Sequence, residues 1–567
     1  MYPQHILDSI KKVEVTRDAR LKATLVRMNA EEKQDILNSF HPDYQDDAFE
    51  TIKVGPNAGE KAPVELAEML HANSRVLELS GQEFDLNKPD YEADVLIIGG
   101  GGAGASAAIE AHEAGAKVII ATKLRMGDAN SMMAEGGIQA ADKENDSPQQ
   151  HYLDAFGGGH FAAKPDLLKR LVTEGPEAIR WLNRLGVMFD KEADGTMVTT
   201  HGGGTSRKRM HACADYSGAE ITRVLRDEVR NRGIEIVEYA AAIELIMDEN
   251  GQAAGALLMN MLTGEYLVAR AKTVIIATGG AGRMHYRNFP TSNHYGATAD
   301  GLVLAYRVGA NLLYQEALQY HPTGVAYPSQ LFGALVTEKV RALGAMLVNI
   351  DGEAFVHPLE TRDVACAAVM RECNERGKGV VTSQKAAPPL PEGSESGIDS
   401  RCSGEVWGSA PLESNAGVWL DSPLIEIIHG EGHIEKSLPG MFRMFMNYGI
   451  DMRKVPILVY PTLHYQNGGI EIEADGYTKQ IPNLYVAGEA VGGIHGKNRL
   501  MGNSLLDIIV FGRQAGKHAA SRVKDVKLGK LTLEHVERYA KKLSDAGVKS
   551  DKVSPKLLPE YVRDVNK

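Results

Sequence analysis

The stretch DVLIIGGGGAG, residues 94–104, joins an apolar strand to a glycine-rich turn. Its apolar half suits a strand at the centre of a parallel sheet, where both faces are covered. Gly99, Gly101 and Gly104 match G-x-G-x-x-G, in which the first glycine makes the turn, the second admits a pyrophosphate and the third lets a helix lie close to the strand. The pattern predicts a helix that begins near Ala105 and holds a dinucleotide at its N-terminus. The alternative is a glycine-rich turn without a ligand.

A second apolar strand, VIIAT at residues 118–122, completes the βαβ unit. NAD-binding folds usually place an acidic residue at the end of this strand, where it binds a ribose. Lys123 stands there instead. A lysine at this place argues against ordinary NAD binding and for another mode of nucleotide binding.

Length and composition limit the class of protein. A chain of 567 residues is too long to fold around a single hydrophobic core, so two or three domains are expected. The net charge of −12 argues against nucleic acid as a partner. The four cysteines form no C-x-x-C pair, so neither a zinc site nor an iron–sulfur cluster is encoded and no metal ligand is assigned. No apolar run reaches membrane-spanning length, so we expect a cytoplasmic protein, for which docking on the inner face of the membrane through partner subunits stays open.

Ten short motifs, in one consistent order along residues 93–520, carry a family resemblance. They are GGGGAG (99–104), AEGGI (134–138), ADYSG (214–218), ATGGAG (277–282), QYHPTG (319–324), TEKVR (337–341), TRDV (361–364), HYQNGGI (464–470), NLYVAGEA (483–490) and NRLMGNSLLD (498–507). With these motifs the chain resembles the flavoprotein subunit of succinate dehydrogenase and fumarate reductase, a family that also contains L-aspartate oxidase.

The resemblance implies an α/β fold, in which a Rossmann-type FAD-binding domain is interrupted by an α+β capping domain and the active site lies between the two. The expected domains are an N-terminal helical extension (1–92), the first part of the FAD-binding domain (93–324), the capping domain (325–455), the second part of the FAD-binding domain (456–523) and a C-terminal helical tail (524–567). The extension either packs on the body or forms a docking surface for another subunit. A Pro/Ser/Gly-rich stretch, residues 385–414, is expected to be a mobile surface loop of the capping domain.

The resemblance also implies a site for a C4 dicarboxylate, fumarate or succinate. Arg499 and His464 would hold one carboxylate, and His321 and Thr337 would hold the other. Guanidinium groups suit this task because they pair bidentately with carboxylates through charge-assisted hydrogen bonds.

Proton transfer is assigned, through the same resemblance, to three residues. Arg362 would deliver a proton to one alkene carbon while hydride passes from FAD N5 to the other. An arginine is an unusual acid because its free pKa exceeds about 12. It therefore needs rapid reprotonation, for which Glu338 and Arg341 match the family's relay.

FAD binding is assigned to residues spread over the Rossmann-type domain. Besides the three glycines of the first turn, the resemblance places Lys123 near the adenosine side, Gly136 and Gly137 against the flavin ring, Glu489 on the ribityl or ribose hydroxyls, and the backbone of Asn503, Ser504 and Leu505 at the pyrimidine end of the ring. Asp300 is assigned to cofactor binding as well.

One position departs from the membrane-bound members of the family. They carry a histidine six residues before the paired glycines, and this histidine bonds covalently to FAD. Asn130 stands at that place here, and an amide does not form the link. We therefore expect FAD to bind without a covalent bond, which in this family favours fumarate reduction over succinate oxidation.

Electrons would be exchanged with a separate iron–sulfur subunit, with or without membrane-anchored or other electron-transfer subunits. Two alternatives stay open. One is a related FAD enzyme, such as L-aspartate oxidase or a reductase of another unsaturated acid. The other is a non-catalytic electron-transfer subunit of a larger redox complex, against which the joint presence of the substrate and proton-transfer residues argues.

Overall fold

A computed structural model of the chain describes residues 2–79, 83–382 and 416–559. The stretch 385–414, expected to form a mobile loop, lies outside the described residues. Within the described ranges, no helix is both long and apolar enough to cross a membrane.

Helices and strands alternate through the described ranges. The helices are α1 (Gln4–Lys22), α2 (Ala30–Phe40), α3 (Val64–Leu70), α4 (Gly102–Glu113), α5 (Pro148–Gly158), α6 (Pro165–Leu185), α7 (Ser217–Asn231), α8 (Asp300–Arg307), α9 (Lys339–Ala342), α10 (Arg362–Met370), α11 (Leu424–His429), α12 (His433–Ser437), α13 (Pro439–Met446), α14 (Asn503–Arg522) and α15 (Glu534–Asp545). The strands are β1 (Phe49–Thr51), β2 (Lys61–Pro63), β3 (Asn73–Ser74), β4 (Tyr91–Ile98), β5 (Val118–Thr122), β6 (Ile138–Gln139), β7 (Met210–His211), β8 (Glu235–Glu238), β9 (Ala240–Asp248), β10 (Ala253–Asn260), β11 (Tyr266–Ile276), β12 (Leu312–Leu313), β13 (Leu318–Val325), β14 (Leu347–Val348), β15 (Val380–Val381), β16 (Ala416–Leu420), β17 (Ile457–Gln466), β18 (Gly469–Ile470), β19 (Leu484–Val486), β20 (Leu531–Thr532) and β21 (Val553–Ser554).

The larger sheet has the strand order β20-β9-β10-β11-β4-β5-β8, with β19 paired to β11. Its central strands are parallel: β4 pairs in parallel with β5 on one side and with β11 on the other. Helices α4 and α14 pack against each other beside it. The α/β fold and the βαβ unit are confirmed, but α4 begins at Gly102 rather than near Ala105, since the helical hydrogen bonds already start with Ala105 N–H donating to Gly101 O.

A smaller antiparallel sheet, in the order β13-β17-β16-β14 with β15 on β16, forms the core of the capping region. Strand β17 and all of β13 but its last residue lie outside the expected limits 325–455, because the sequence of an apolar strand does not show which sheet the strand will join. The two strands pair with each other across more than a hundred residues, and they bring the segments around His321 and His464 side by side. The domain limits themselves stay a prediction.

The N-terminal residues pack on the capping region. Trp419 Nε1 donates to Ser9 Oγ at 2.9 Å, and Arg17 and Arg20 both pair with the buried Asp421. Helix α2 lies against α10, where Lys33 Nζ contacts Glu360 Oε1 at 2.8 Å. Helices α1 and α2 are therefore fastened to the region that carries Arg362, and docking of another subunit on residues 1–92 stays a prediction.

Candidate active site

A cleft runs along the carboxyl ends of the central strands. It is lined by residues that follow β4, β5, β11 and β19 and by the start of α14. The predicted site residues among its lining are Gly99, Gly101, Lys123, Asn130, Asp300, His464, Glu489, Arg499, Ser504 and Leu505.

The glycine turn forms one wall of the cleft. Gly99 has φ +121°, and a Cβ there would lie 2.2 Å from Ala277 O. A Cβ on Gly104 would lie 2.0 Å from Gly99 O, so only glycine permits this approach of helix to strand. Helix α4 begins at Gly102, and its first N–H groups form an anion site next to a glycine turn that has no side chains. The turn fits the pyrophosphate of a dinucleotide.

Lys123 and Asp300 lie together at the nucleotide end. Lys123 Nζ donates to Asp300 Oδ2 at 2.5 Å and to Thr298 Oγ1 at 2.7 Å. It also donates to Leu557 O at 2.5 Å, which brings the C-terminal tail to the cleft. Sequence reasoning missed Leu557, because no motif marks a backbone carbonyl 434 residues away.

The start of α14 forms the opposite wall, and the paired glycines Gly136 and Gly137 follow the lining residues Met133 and Ala134 in the chain. Gly136 approaches Met501 and Thr337, and Gly137 approaches the backbone of His211. Ser504 and Leu505 line the cleft, whereas Asn503 turns its side chain to His151, whose Nε2 lies 2.9 Å from Asn503 Oδ1. The side chain of Asn503 is therefore directed away from the cleft, and its assignment to cofactor binding stays a prediction.

Asn130 is held on all sides. Its Nδ2 donates to Asn293 Oδ1 at 2.7 Å and to Glu489 Oε2 at 2.9 Å, and its Oδ1 accepts from His294 N–H at 2.5 Å. Glu489 Oε1 accepts from Gln466 N–H at 3.1 Å. Burial raises the pKa of the Glu489 carboxyl. Asn130 therefore orients a buried carboxyl on the cleft wall.

Two arginines meet at the far end of the cleft. Arg362 Nη1 and Arg499 Nη2 both donate to Gln319 Oε1, each at 2.9 Å. The amide group of Gln319 is itself fixed, since its Nε2 donates to Asn498 Oδ1 and to Arg499 O. Sequence reasoning missed Gln319, although it opens the quoted motif QYHPTG and lies two residues from His321. The shared acceptor sets the separation of the two guanidinium groups.

Glu338 and Arg341 lie behind Arg362. Glu338 Oε2 accepts from Arg362 Nε at 2.9 Å and lies 3.4 Å from Arg341 Nη2. Its other oxygen accepts from Gly203 N–H at 2.5 Å. Burial alone would raise the pKa of the Glu338 carboxyl, but the charges of Arg362 and Arg341 outweigh it and lower the pKa overall. An ionised carboxylate thus bridges the two arginines.

His321 and His464 face each other, with ring centroids 5.1 Å apart. Burial, followed by the charge of Arg362, holds the pKa of each imidazole well below its usual range, so both rings are neutral. Thr323 N–H donates to His321 Nδ1 at 3.3 Å, which leaves the ring proton on Nε2. Ser292 Oγ lies 2.7 Å from His464 Nδ1.

Arg499 lies over the ring of Tyr465, with its Cζ 4.4 Å from the centroid, and its Nη1 donates to Ser504 Oγ at 2.9 Å. Burial, and after it the charge of Arg362, lowers the pKa of Arg499 to about 9. This end of the cleft therefore holds two cations that repel each other and attract an anion.

The chain matches known proteins over most of its length. The family described as "FAD binding domain" matches residues 94–505. A curated relative, a CoM/CoB-type fumarate reductase subunit of Methanothermobacter marburgensis, is 38% identical over 443 residues, which are 76% of this chain and 73% of the relative. An "L-aspartate oxidase" of Streptomyces coelicolor is 34% identical over 442 residues, 76% of this chain and 68% of that one. Among solved structures, a quinol fumarate reductase of E. coli has a TM-score of 0.67 and 29% identity, covering 80% of this chain and 74% of that chain.

Proposed function

Because this chain belongs to the FAD-binding family of succinate dehydrogenase and fumarate reductase flavoprotein subunits, we propose that it is the flavoprotein subunit of a fumarate reductase acting on a C4 dicarboxylate. The observation that carries the proposal is the acceptor that Arg362 and Arg499 share, Gln319 Oε1. It fixes two buried guanidinium groups beside a pair of neutral histidines at one end of a cofactor cleft. A small dianion is the ligand that such a set of donors favours.

Arg499 and His464 would hold one carboxylate of the substrate, and His321 and Thr337 would hold the other. The neutral imidazole of His321 donates from Nε2, while Arg499 supplies charge and a planar pair of donors. Each charge-assisted bond is worth about 1.5–3 kcal/mol, so the clamp orients the diacid and polarises its double bond. Arginines in a site that excludes water act more strongly than they would in solvent.

Arg362 would hold the transferable proton, as the group that faces the substrate and is backed by Glu338. After the transfer, Glu338, whose Oε2 lies 2.9 Å from Arg362 Nε, would pass a proton on to Arg362. It would receive that proton from Arg341, whose Nη2 lies 3.4 Å from the same oxygen, and Arg341 would be reprotonated by a proton that comes ultimately from solvent. The lowered pKa of Glu338 keeps it a carboxylate between turnovers, so that it stabilises the charged form of Arg362.

FAD, when bound, supplies hydride for fumarate reduction and accepts it for the reverse reaction. The turn at Gly99–Gly104, the nucleotide end at Lys123 and Asp300, and the start of α14 would hold it. We propose that it is held without a covalent bond, since Asn130 offers only an amide that is already bonded on three sides. Acid precipitation should leave the flavin in the supernatant, and flavin retained by the pellet would contradict this assignment.

The proposed reaction needs a source of electrons for the flavin. The sequence has no C-x-x-C pair to ligate a cluster, and the relative in Methanothermobacter marburgensis is named as one subunit of an enzyme. We therefore propose that the immediate partner is a separate iron–sulfur subunit, with membrane-anchored or other electron-transfer subunits behind it. Co-purification from the native source with identification of the attached chains tests this part.

The discriminating experiment measures two activities on one preparation. Fumarate-dependent oxidation of reduced viologen is expected, while peroxide production from L-aspartate should stay at background. The opposite result would favour an L-aspartate oxidase, which the relative in Streptomyces coelicolor keeps as the second candidate. Absence of both activities in a preparation that contains FAD would favour a reductase of another unsaturated acid or an electron-transfer role.

A further inference from the structure

The C-terminal residues 553–559, here called the C-terminal strap, lie against the nucleotide end of the cleft. Leu557 O accepts from Lys123 Nζ at 2.5 Å and from Thr298 Oγ1 at 3.0 Å. Leu557 N–H donates to Asp300 Oδ1 at 3.2 Å. Lys123 and Asp300 both line the cleft. The strap therefore contacts two residues of the cleft wall.

The strap is anchored at its start by the N-terminal residues. Strand β21 pairs in parallel with β3, and Arg75 Nε donates to Pro555 O at 2.8 Å. Ser554 Oγ accepts from Arg307 Nη2 at 2.6 Å. Arg307 also forms a fully buried ion pair with Glu244, which accepts from Ser74 Oγ at 2.7 Å. The two ends of the chain therefore meet in one buried polar network.

Leu557 itself is held in an unfavourable backbone conformation. Its φ is +68°, in the left-handed region that a leucine rarely adopts. Its side chain is buried in a small apolar cluster with Ile243, Leu257 and Val268. Strained residues persist where surrounding contacts hold them, and such positions are concentrated at binding sites. Here the strained backbone presents its N–H to Asp300 and its C=O to Lys123.

We infer that the C-terminal strap is part of the FAD site and slows release of the bound cofactor. The inference rests on the proposed non-covalent binding, because only a cofactor without a covalent link depends on such contacts to stay in place. Three acceptors fix the ammonium group of Lys123: Asp300, Thr298 and Leu557 O. The end of the second Rossmann strand is the place where the nucleotide ribose binds. Removal of the strap frees Lys123 and admits water at that end.

The first experiment compares three holoproteins: the full chain, a chain ending at Lys552 and a chain ending at Pro559. The last is the matched control, because it loses residues 560–567 and keeps the strap. FAD fluorescence after dilution gives the rate of release. The chain ending at Lys552 should release FAD roughly tenfold faster or more, a change that corresponds to the loss of about one charge-assisted hydrogen bond. Equal rates in the two shortened chains would overturn the inference.

A second measurement needs no variant and guards against a shortened chain that fails to fold. Trypsin cleaves after Lys552 and Lys556, which flank and lie within the strap. FAD should protect these bonds, so the full-length apoprotein is expected to be cut there at least about tenfold faster than the holoprotein. Equal cleavage of both forms would contradict the proposed role of the strap and leave the non-covalent binding of FAD unaffected. Flavin that stays with the acid-precipitated chain would contradict the non-covalent proposal alone.

Discussion

The cofactor cleft is built from different materials at its two ends. At the nucleotide end, backbone dominates: Gly99 and Gly104 have no space for a side chain, and a helix N-terminus supplies the charge complement. At the substrate end, buried ionisable side chains dominate, with Arg362 and Arg499 sharing Gln319 as acceptor. At the nucleotide end, the shape of the backbone determines which residues fit. The substrate end is electrostatically costly, because the buried cations of Arg362 and Arg499 share a neutral acceptor, while the carboxylate of Glu338 contacts Arg362 on its other side.

That cost is informative about function. Burying like charges is unfavourable unless an opposite charge compensates them. Burial, and after it the charge of Arg362, lowers the pKa of Arg499, and a bound dianion would stabilise the charged form of this arginine. Sites with strongly perturbed pKa values are concentrated where binding and catalysis occur. Substitutions at the substrate end should therefore change fumarate turnover, and substitutions at the nucleotide end should change FAD binding.

The largest effect is expected at the substrate end, from Arg362→Ala. Loss of the proposed proton donor should lower kcat for fumarate by about 10³-fold, within the range of general acid catalysis. FAD content should not change, because Arg362 does not line the nucleotide end. Viologen-linked fumarate reduction measures the rate, and the flavin absorbance of the purified variant is the control. Unchanged turnover would show that another group donates the proton.

At the nucleotide end, Gly99→Ala should lower the affinity for FAD rather than the rate of the chemical step. A Cβ would lie 2.2 Å from Ala277 O at φ +121°, and such strain is worth about 1–3 kcal/mol, or roughly ten- to a hundredfold in FAD affinity. Titration of the apoprotein with FAD measures it. Gly157→Ala is the matched control, since a Cβ there meets only Phe161 Cζ, at 4.0 Å, and FAD binding should be unaffected. Full FAD affinity in the Gly99 variant would refute the tight turn.

The same contrast explains how much the sequence disclosed. The βαβ unit was predictable because its strand, turn and helix are contiguous and each glycine has a local reason. The substrate residues come from separate segments, and only the family motifs joined His321 on β13 with His464 on β17. Gln319 and Leu557 were missed for a physical reason: an amide and a backbone carbonyl gain their roles from tertiary neighbours. The α4 start and the extent of the capping sheet were likewise decided by hydrogen-bond partners that lie outside the local pattern.

The charge of Arg499 should produce a pH limit on substrate capture. Its pKa of about 9 means that the free site is protonated below that pH and neutral above it. The value of kcat/KM for fumarate should therefore fall as pH rises through about 9, approaching tenfold per pH unit, because this parameter reports the free enzyme. At saturating fumarate the bound dianion keeps Arg499 protonated, so kcat should fall later. Activity recovered on return to about pH 7.5 is the control for unfolding, and a flat kcat/KM up to about pH 10.5 would contradict the assignment.

The smallest effect, and the sharpest probe of the substrate end, is expected at Gln319. Gln319→Leu removes the shared acceptor, so the two guanidinium groups repel each other more and the pH limit should move below about 9. KM for fumarate should rise about tenfold, as for one lost hydrogen bond to a charged group.

Gln319→Glu places a carboxylate at the same point and should also raise KM, because it competes with the substrate for both arginines. Its pH limit, however, should move upward, since an anion beside Arg499 stabilises the protonated form. Opposite shifts in the two variants would tie the limit to the charge between Arg362 and Arg499. Shifts in the same direction would mean that Gln319 acts only by packing, and that the separation of the two cations is set by other contacts.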